Sequence, residues 1–310
     1  MDATVQVRQS DRTPLTEQAI LAALPGTIEV HLGPPPYVLD PLQENAYCLR
    51  SAKQCVSTRR VFVKVIPADD RYGQNELAVN RRLGDSPSFP APWLLFAETI
   101  EGATLAGWEW VLGADLRHAG RPALPHAFAE LGRFHNRHRS EPPVASPTTH
   151  TPYPSVRLML DAELAALTGG LEQAMTARCA RAFRLLEAGY VTTIHGDFHP
   201  GNIRVGGDRI RFVDWGYATT SLNLFDLSYV QRGCEPDPEA WWQIGANEAD
   251  AVLDAYFAEC GMGDLDWQPL QWAVEVWSTL YAYHNASERQ NEEGMANSLE
   301  ALHRLLAENE

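Results

Sequence analysis

Residues Thr193 to Tyr217 read TIHGDFHPGNIRVGGDRIRFVDWGY, and the interpretation of the whole chain starts from this segment. Short runs of β-forming residues frame a loop that is crowded with His, Asp and Asn side chains. Asn202 follows the triplet His195-Gly196-Asp197, and Asp214-Trp215-Gly216 follows the next β run. A loop that only connects two strands has little use for these side chains, so the segment indicates a chemical site.

The spacing resembles that of protein kinases, in which H-R-D-x-x-x-x-N is followed by D-F-G. In those enzymes the first Asp accepts the hydroxyl proton, and the Asn and the second Asp hold magnesium. Phosphoryl transfer depends mainly on positioning, so one carboxylate must face the nucleophile while other oxygens chelate the metal. Asp197, Asn202 and Asp214 occupy the three corresponding positions.

A cation for the nucleotide is expected upstream of this segment. Val61-Phe62-Val63-Lys64 has the V-A-I-K form of the strand lysine that contacts the α- and β-phosphates. Glu76 lies on the helix predicted next, over residues 75–83, where a kinase carries the glutamate that orients this lysine. Each residue alone would be an ordinary surface charge, but their order predicts that the pair completes the set.

Together these motifs resemble the aminoglycoside phosphotransferase and choline kinase family, whose signature is H-G-D-x-H-x-x-N followed by Asp-Trp or Asp-Phe. The signature positions matched here are His195, Gly196, Asp197, His199, Asn202, Asp214 and Trp215. A helix that ends in a histidine (AELGRFH, Ala129 to His135) and the step Asp226-Leu227 also match. The resemblance therefore covers about residues 30–230.

The resemblance implies ATP- and Mg²⁺-dependent transfer of a phosphoryl group to a hydroxyl of a small molecule. It implies that Asp197 is the catalytic base, that Asn202 and Asp214 bind the metal, and that Lys64 contacts the nucleotide phosphates. Three residues are expected to support the loop: His195, His199 and Asp226. ATP and GTP are not distinguished by the sequence.

The nucleotide loop departs from the pattern, because the segment PLQENAYCLR holds no glycine, although Asn45 stands where the family often has a polar residue. Backbone amides are expected to cover the phosphates there, and adenine is expected near Glu109-Trp110-Val111. The chain has no A-P-E segment and no long insertion after Asp214-Trp215-Gly216. A protein substrate docked on an activation loop is therefore not expected.

Two other classes of function stay open from the residues alone. His195 and His199 each lie two residues from Asp197, so on an extended backbone the three side chains could bind a transition metal of a phosphohydrolase. The other alternative is a nucleotide-binding module without turnover. The complete set of Lys64, Asp197, Asn202 and Asp214 favours the kinase over both.

The composition of the chain argues against two classes of binding partner. The 310 residues carry 40 Asp and Glu against 25 Lys and Arg, a net charge of −15, which argues against nucleic acid or an anionic membrane as partner. The same balance favours an amine-bearing acceptor such as an aminoglycoside, choline or an amino-alcohol. The five scattered cysteines and a start without an apolar leader predict a cytoplasmic protein. Oligomeric state is not predicted.

The distribution of patterns predicts an α+β fold of two lobes. Residues 1–112 contain a helix at 16–24 and short β runs (IEVHL, NAYCLRS, VFVKVI, WLLFAETI and GWEWVL), typical of a small antiparallel sheet. Residues 113–310 mostly show the i, i+3, i+4 apolar repeat of helices and carry the catalytic loop. ATP is expected between the two lobes.

Overall fold

The computed structural model of the chain describes residues 15–43, 45–52, 59–86, 89–116, 121–139, 155–206, 209–230, 244–263 and 265–307. These residues form two compact units. The first lies within Met1–Asp70 and Trp93–Trp110, and the second within Arg71–Pro92 and Val111–Glu310. The functional division between residues 112 and 113 stays a prediction.

The first unit is built on a five-stranded antiparallel sheet with the order β1-β2-β3-β5-β4. Its strands are β1 (Tyr37–Gln43), β2 (Ala46–Ser51), β3 (Arg60–Pro67), β4 (Leu94–Ile100) and β5 (Ala103–Glu109). Alternate residues of β3 are fully buried, as expected for a strand with one face against a core. The predicted small antiparallel sheet is therefore confirmed.

Two short helices, α1 (Glu17–Ala22) and α2 (Ile28–Leu32), cover one face of this sheet. Thr16 caps α1, since its Oγ1 accepts a hydrogen bond of 3.2 Å from the amide of Ala19. The core under the helices contains side chains from both helices and from strands β2, β3 and β5: Ile20, Ile28, Leu32, Leu49, Val61, Val63, Val65 and Leu105. Lys64 alternates with these valines and so lies on the opposite face of the sheet.

The prediction of a strand at IEVHL was wrong, since these residues form α2. Ile28 and Leu32 are four residues apart and fit both a strand face and a helix face. Val30 separates the two readings, because a strand would bury it beside them, whereas it is 77% exposed. The first strand is instead β1, which contains Pro41 and tolerates it because β1 is an edge strand.

The second unit is mainly helical, as predicted. Its described helices are α3 (Arg71–Leu83), α4 (Leu124–Arg137), α5 (Val156–Leu167), α6 (Gln173–Leu186), α7 (Ala246–Glu259), α8 (Trp267–Glu288) and α9 (Glu292–Ala307). They enclose one large apolar core in which Phe128, Phe134 and Trp215 are fully buried. The Pro-, Ser- and Thr-rich stretch at residues 141–154, whose composition predicts a surface loop, lies outside the described residues.

Short strands of this unit hold the loop that is predicted to be catalytic. They are β6 (Ala114–Asp115), β7 (Val191–Ile194), β8 (Ile203–Gly206), β9 (Arg209–Phe212) and β10 (Thr219–Leu222). β7 pairs with β10, and β8 pairs with both β6 and β9. His195, just after β7, contacts the carbonyl oxygen of Val213, just after β9, so the ends of these two strands lie close together.

Helix α3 packs against the turn that follows β9. The side-chain amide of Asn75 donates to the carbonyl oxygens of Gly216 (3.0 Å) and Ala218 (2.8 Å). The rings of Tyr72 and Tyr217 stack beside this contact, with centroids 4.5 Å apart. A buried amide that satisfies two backbone carbonyls fixes the turn relative to the helix.

None of the described helices is long and apolar enough to cross a membrane.

Candidate active site

The three residues predicted for catalysis and metal binding all lie in the second unit, at the ends of its short strands. Asp197 follows β7, Asn202 ends a 3-10 turn before β8, and Asp214 follows β9. The amide of Val213 donates to the carbonyl oxygen of Asn202 at 2.9 Å, which holds the residue before Asp214 against the turn. The spacing read from the sequence therefore corresponds to one continuous site.

The turn at Gly196 needs glycine. Its φ is +80°, and a Cβ there would collide with the carbonyl oxygen of Tyr217. The carboxylate of Asp226 accepts hydrogen bonds of 2.7 Å from the amides of both His195 and Gly196. These two charge-assisted bonds fix the backbone just before Asp197.

Asp226 is 1% exposed and is the centre of a buried polar network. Its Oδ2 lies 3.1 Å from Nε2 of His135, and Nδ1 of the same ring lies 2.9 Å from the hydroxyl of Tyr256. A His135 tautomer with its proton on Nε2 satisfies both contacts. The amide of Asn223 donates to the Tyr256 hydroxyl at 2.9 Å. A buried carboxylate with this many donors is stable only while all of them remain.

Asp197 has donors on both of its carboxylate oxygens. The hydroxyl of Tyr229 donates to Oδ1 at 2.7 Å, and the amide of Asn202 donates to Oδ2 at 3.2 Å and to the Asp197 carbonyl at 2.9 Å. Nε2 of His199 lies 3.5 Å from Oδ2. Burial acts to raise the pKa of Asp197, but the contacts with His199 and Tyr229 outweigh it and hold the pKa below its usual value. The side chain remains 25% exposed, so a substrate can reach an ionised carboxylate.

Both histidines of the motif are held by hydrogen bonds within the loop. His195 is fully buried, its Nε2 lies 2.9 Å from the carbonyl oxygen of Val213, and its Nδ1 lies 3.4 Å from the amide of Asp197. Burial lowers the pKa of His195, and the negative charge of Asp226 opposes this only in part. Nδ1 of His199 accepts a hydrogen bond of 3.0 Å from Gly201. The contacts of His195 leave neither of its nitrogens for a metal.

Asn202 and Asp214 provide oxygen atoms that suit magnesium. Because the Asn202 amide nitrogen is used by Asp197, its Oδ1 remains for a metal. Asp214 adopts a left-handed conformation (φ 63°, ψ 61°), and among the described residues its carboxylate accepts no hydrogen bond. One carboxylate and one amide oxygen are a typical protein share for Mg²⁺, which takes its other ligands from phosphates and water. The donor set therefore fits the predicted metal.

No group of three or more His, Cys, Asp and Glu side chains in the described part of the chain is arranged to hold a metal ion. A transition-metal site at His195, Asp197 and His199 would need such a group. The contacts of the two histidines explain why the triplet does not form one.

Lys64 and Glu76 belong to different units. Lys64 is on β3 in the first unit, where its cross-strand neighbours are Ala46 and Ala106, both fully buried. Two small residues leave room above the strand for a long side chain or for a ligand. Glu76 is on α3 in the second unit and is 7% exposed.

The predicted nucleotide-loop and hinge residues are placed at strand ends. Asn45 lies in the turn between β1 and β2 with φ 58°, a conformation that asparagine tolerates, and its carbonyl oxygen accepts from Val65 at 2.8 Å. Glu109 ends β5, and its Oε2 is buried without a hydrogen-bond partner among the described residues. Val111 begins the following segment and is partly buried.

Several residues that support the site were missed in the sequence. Tyr229 and Asn75 contact it directly, although they lie 32 residues from Asp197 and 141 residues from Gly216 in the chain. Asn223 and Tyr256 support it through Asp226. Asn75, just before Glu76, and Tyr229, three residues after Asp226, belong to no local sequence motif. Their contacts with the site are therefore visible only in the folded structure.

Comparison with known proteins identifies the family of the chain. Residues 49–273 match the model of the Phosphotransferase enzyme family, which is more than half of the 310 residues. The chain therefore belongs to this family, as the sequence predicts. A comparison with curated proteins found no match.

Three of the solved structures that share this fold illustrate the likeness. Aminoglycoside 2′-phosphotransferase-IIIa in complex with GDP has a TM-score of 0.57 at 14% identity, with 92% of this chain and 97% of that chain covered. A choline/ethanolamine kinase family protein from Mesorhizobium loti has a TM-score of 0.56 at 16% identity, with coverages of 94% and 96%. Amicoumacin kinase in complex with AMP-PNP, Ca²⁺ and Ami has a TM-score of 0.51 at 15% identity, with coverages of 94% and 95%. At these identities the likeness shows the fold, and the predicted kinase-like α+β fold is confirmed.

Proposed function

We propose that the chain is an ATP- and Mg²⁺-dependent O-phosphotransferase that acts on a small molecule. Family membership supports phosphotransfer in general. The observation that carries the more specific proposal is the state of Asp197, a partly exposed carboxylate that is held on both oxygens. Asn202 and Asp214 are near each other along the backbone contact in which the amide of Val213 donates to the carbonyl oxygen of Asn202. This combination suits a base beside a metal-bound nucleotide.

In the proposed reaction Asp197 accepts a hydrogen bond from the acceptor hydroxyl and orients its oxygen toward the γ-phosphorus of ATP. The new O–P bond forms as the bond to the β-phosphate oxygen breaks, ADP leaves, and the hydroxyl proton passes to Asp197. Magnesium, held by Asn202 and Asp214, would neutralise phosphate charge. Lys64 is the proposed phosphate contact and Glu76 its proposed orienting residue. The roles of Asn45, Glu109 and Val111 at the nucleotide stay predictions.

For the acceptor we propose a hydroxyl compound that carries an amine. The net charge of −15 favours a cationic ligand. Solved relatives of the fold include a choline/ethanolamine kinase family protein and aminoglycoside phosphotransferases. A cytoplasmic location, and the expectation of no nucleic-acid or membrane partner, stay predictions.

The phosphohydrolase is the weaker candidate. It requires His195 and His199 as metal ligands, whereas His195 uses both ring nitrogens within the loop and His199 uses Nδ1 for Gly201. The catalytically silent module has no observation in its favour, since Asp197 is ionised and partly exposed in the site.

The proposal is tested by ADP release from ATP with Mg²⁺ across aminoglycosides, choline, amino-alcohols and sugars. We expect one acceptor class to stimulate release and Asp197→Asn to reduce kcat by about 10²–10⁴-fold, since the base is lost but the fold is kept. Asp161→Asn makes the same chemical change on an exposed face of α5, where the side chain is 64% exposed, and should leave kcat unchanged.

The outcomes separate the candidates. Hydrolysis of phosphate esters without ATP would favour the hydrolase. Nucleotide binding without product on any acceptor would favour the silent module. Full activity of Asp197→Asn would show that the base has been misplaced.

A further inference from the structure

The hydroxyl of Tyr229 makes the shortest contact to the Asp197 carboxylate. It donates to Oδ1 at 2.7 Å, whereas Asn202 and His199 approach Oδ2 at 3.2 Å and 3.5 Å. The two oxygens are therefore held by different elements, Oδ2 from within the loop and Oδ1 from the segment after Asp226. A carboxylate restrained on one oxygen can rotate about its Cβ–Cγ bond, and one restrained on both cannot do so freely.

Tyr229 is itself held in place on several sides. Its carbonyl oxygen accepts a hydrogen bond of 2.9 Å from the amide of Ile244. On the other side, two residues of α8 contact its neighbours, since Gln271 donates to the carbonyl of Val230 and Ser278 to that of Ser228. The Tyr229 ring also packs edge to face on His199, with centroids 5.5 Å apart. The hydroxyl that reaches Asp197 thus comes from a well-supported backbone.

We propose that Tyr229 is a positioning residue that fixes the rotation of the Asp197 carboxylate, so that its remaining lone pairs face the acceptor hydroxyl. The proposal rests on the proposed function, because Asp197 must be the base. Tyr229 acts through Asp197 and does not touch the substrate. Because small errors in the placement of a base reduce the rate without weakening binding, its effect should fall on kcat.

The experiment compares two matched variants in the phosphotransfer assay. Tyr229→Phe removes one hydroxyl and keeps the ring that packs on His199. Tyr190→Phe removes a hydroxyl in the same unit that donates at 2.8 Å to the carbonyl of Cys260 and makes no contact with Asp197; Tyr190 is 5% exposed. We expect kcat to fall about tenfold in Tyr229→Phe with KM for ATP changed less than twofold, and no change of kcat in Tyr190→Phe.

A second measurement tests the contact without turnover. Denaturant unfolding midpoints are compared for wild type, Tyr229→Phe, Asp197→Ala and the double variant. We expect Tyr229→Phe to lower the midpoint in wild type, and to lower it less in the Asp197→Ala background, where its hydroxyl has lost its acceptor.

The results distinguish the two proposals. Asp197-dependent turnover with an unchanged kcat in Tyr229→Phe would overturn the positioning role and leave the proposed function intact. Equal midpoint shifts in the two backgrounds would overturn it as well. A wild-type protein that transfers phosphate to no acceptor would instead count against the proposed function, even if the unfolding data show coupling between the two residues.

Discussion

Two regions carry predicted functional residues in very different surroundings. They are the predicted catalytic segment, residues 193–230, and strand β3 of the first unit. In the catalytic segment the side chains of His195, Asn202 and Asp226 are buried, and each is hydrogen-bonded to another residue of the segment. In β3, Lys64 stands between two buried alanines on a strand whose other face makes the apolar core. In the segment we therefore expect stability and function to depend on the same bonds. In the strand, we expect the two to be separable.

The comparison is tested most strongly at Asp226. Asp226→Asn replaces one of two acceptor oxygens by an NH2 group. Oδ2 accepts from His195 and His135, and Oδ1 accepts from Gly196, so the new NH2 group faces at least one donor in either orientation. We expect the free energy of unfolding to fall by about 3 kcal/mol, because a buried network loses its charge and keeps unpaired donors. Activity should fall as well, since the turn before Asp197 depends on these bonds. Denaturant unfolding and the ADP-release assay measure the two effects.

The control for Asp226 is Asp254→Asn. Asp254 also accepts a hydrogen bond, from the indole of Trp267 at 2.8 Å, but it is exposed on α7. A change below about 1 kcal/mol is expected there. If both variants lose the same free energy, burial of the Asp226 network is not the source of its contribution.

The difference between the regions also explains what sequence can predict. The motif in the catalytic segment places Asp197, Asn202 and Asp214 together because their partners are local: Asn202 is five residues from Asp197. Tyr229 and Asn75 reach the same site across 32 and 141 residues, and no local pattern encodes such contacts.

In the first unit, the alternation of β3 predicts its strand well, because one face is buried along its length. The pattern of IEVHL does not distinguish a helix from a strand, since two apolar residues four apart lie on one face of either element. The fold was thus predictable where the alternation of apolar residues extends over a whole element. The site was predictable where its residues contact near neighbours in the sequence. The remaining contacts depend on tertiary structure.

His195 gives a pH-dependent test of the buried segment. Burial lowers its pKa in the folded protein, whereas an unfolded histidine has a pKa of about 6.5. Below pH 6.5 the histidine is protonated in the unfolded chain but stays neutral in the folded chain. The contribution of His195 to the free energy of unfolding is therefore fully present above that pH and is lost as the pH falls. Between pH 6.5 and 5.5 the wild type should lose up to about 1 kcal/mol more free energy of unfolding than His195→Gln. Parallel pH curves of the free energy of unfolding would show that His195 is not kept neutral by burial.

The smallest change of stability is expected at Lys64, and this is what makes the variant informative. Lys64→Met keeps the length of the side chain on β3 and removes its charge, so the free energy of unfolding should stay within about 1 kcal/mol. Phosphotransfer should nevertheless fall about 100-fold, because a fixed charge on the phosphates is lost. Arg59→Met removes an exposed cation just before the same strand and should change neither quantity. A loss of stability at Lys64 comparable to that at Asp226 would remove the contrast between the two regions, since function and stability would then be joined in the strand as they are in the catalytic segment.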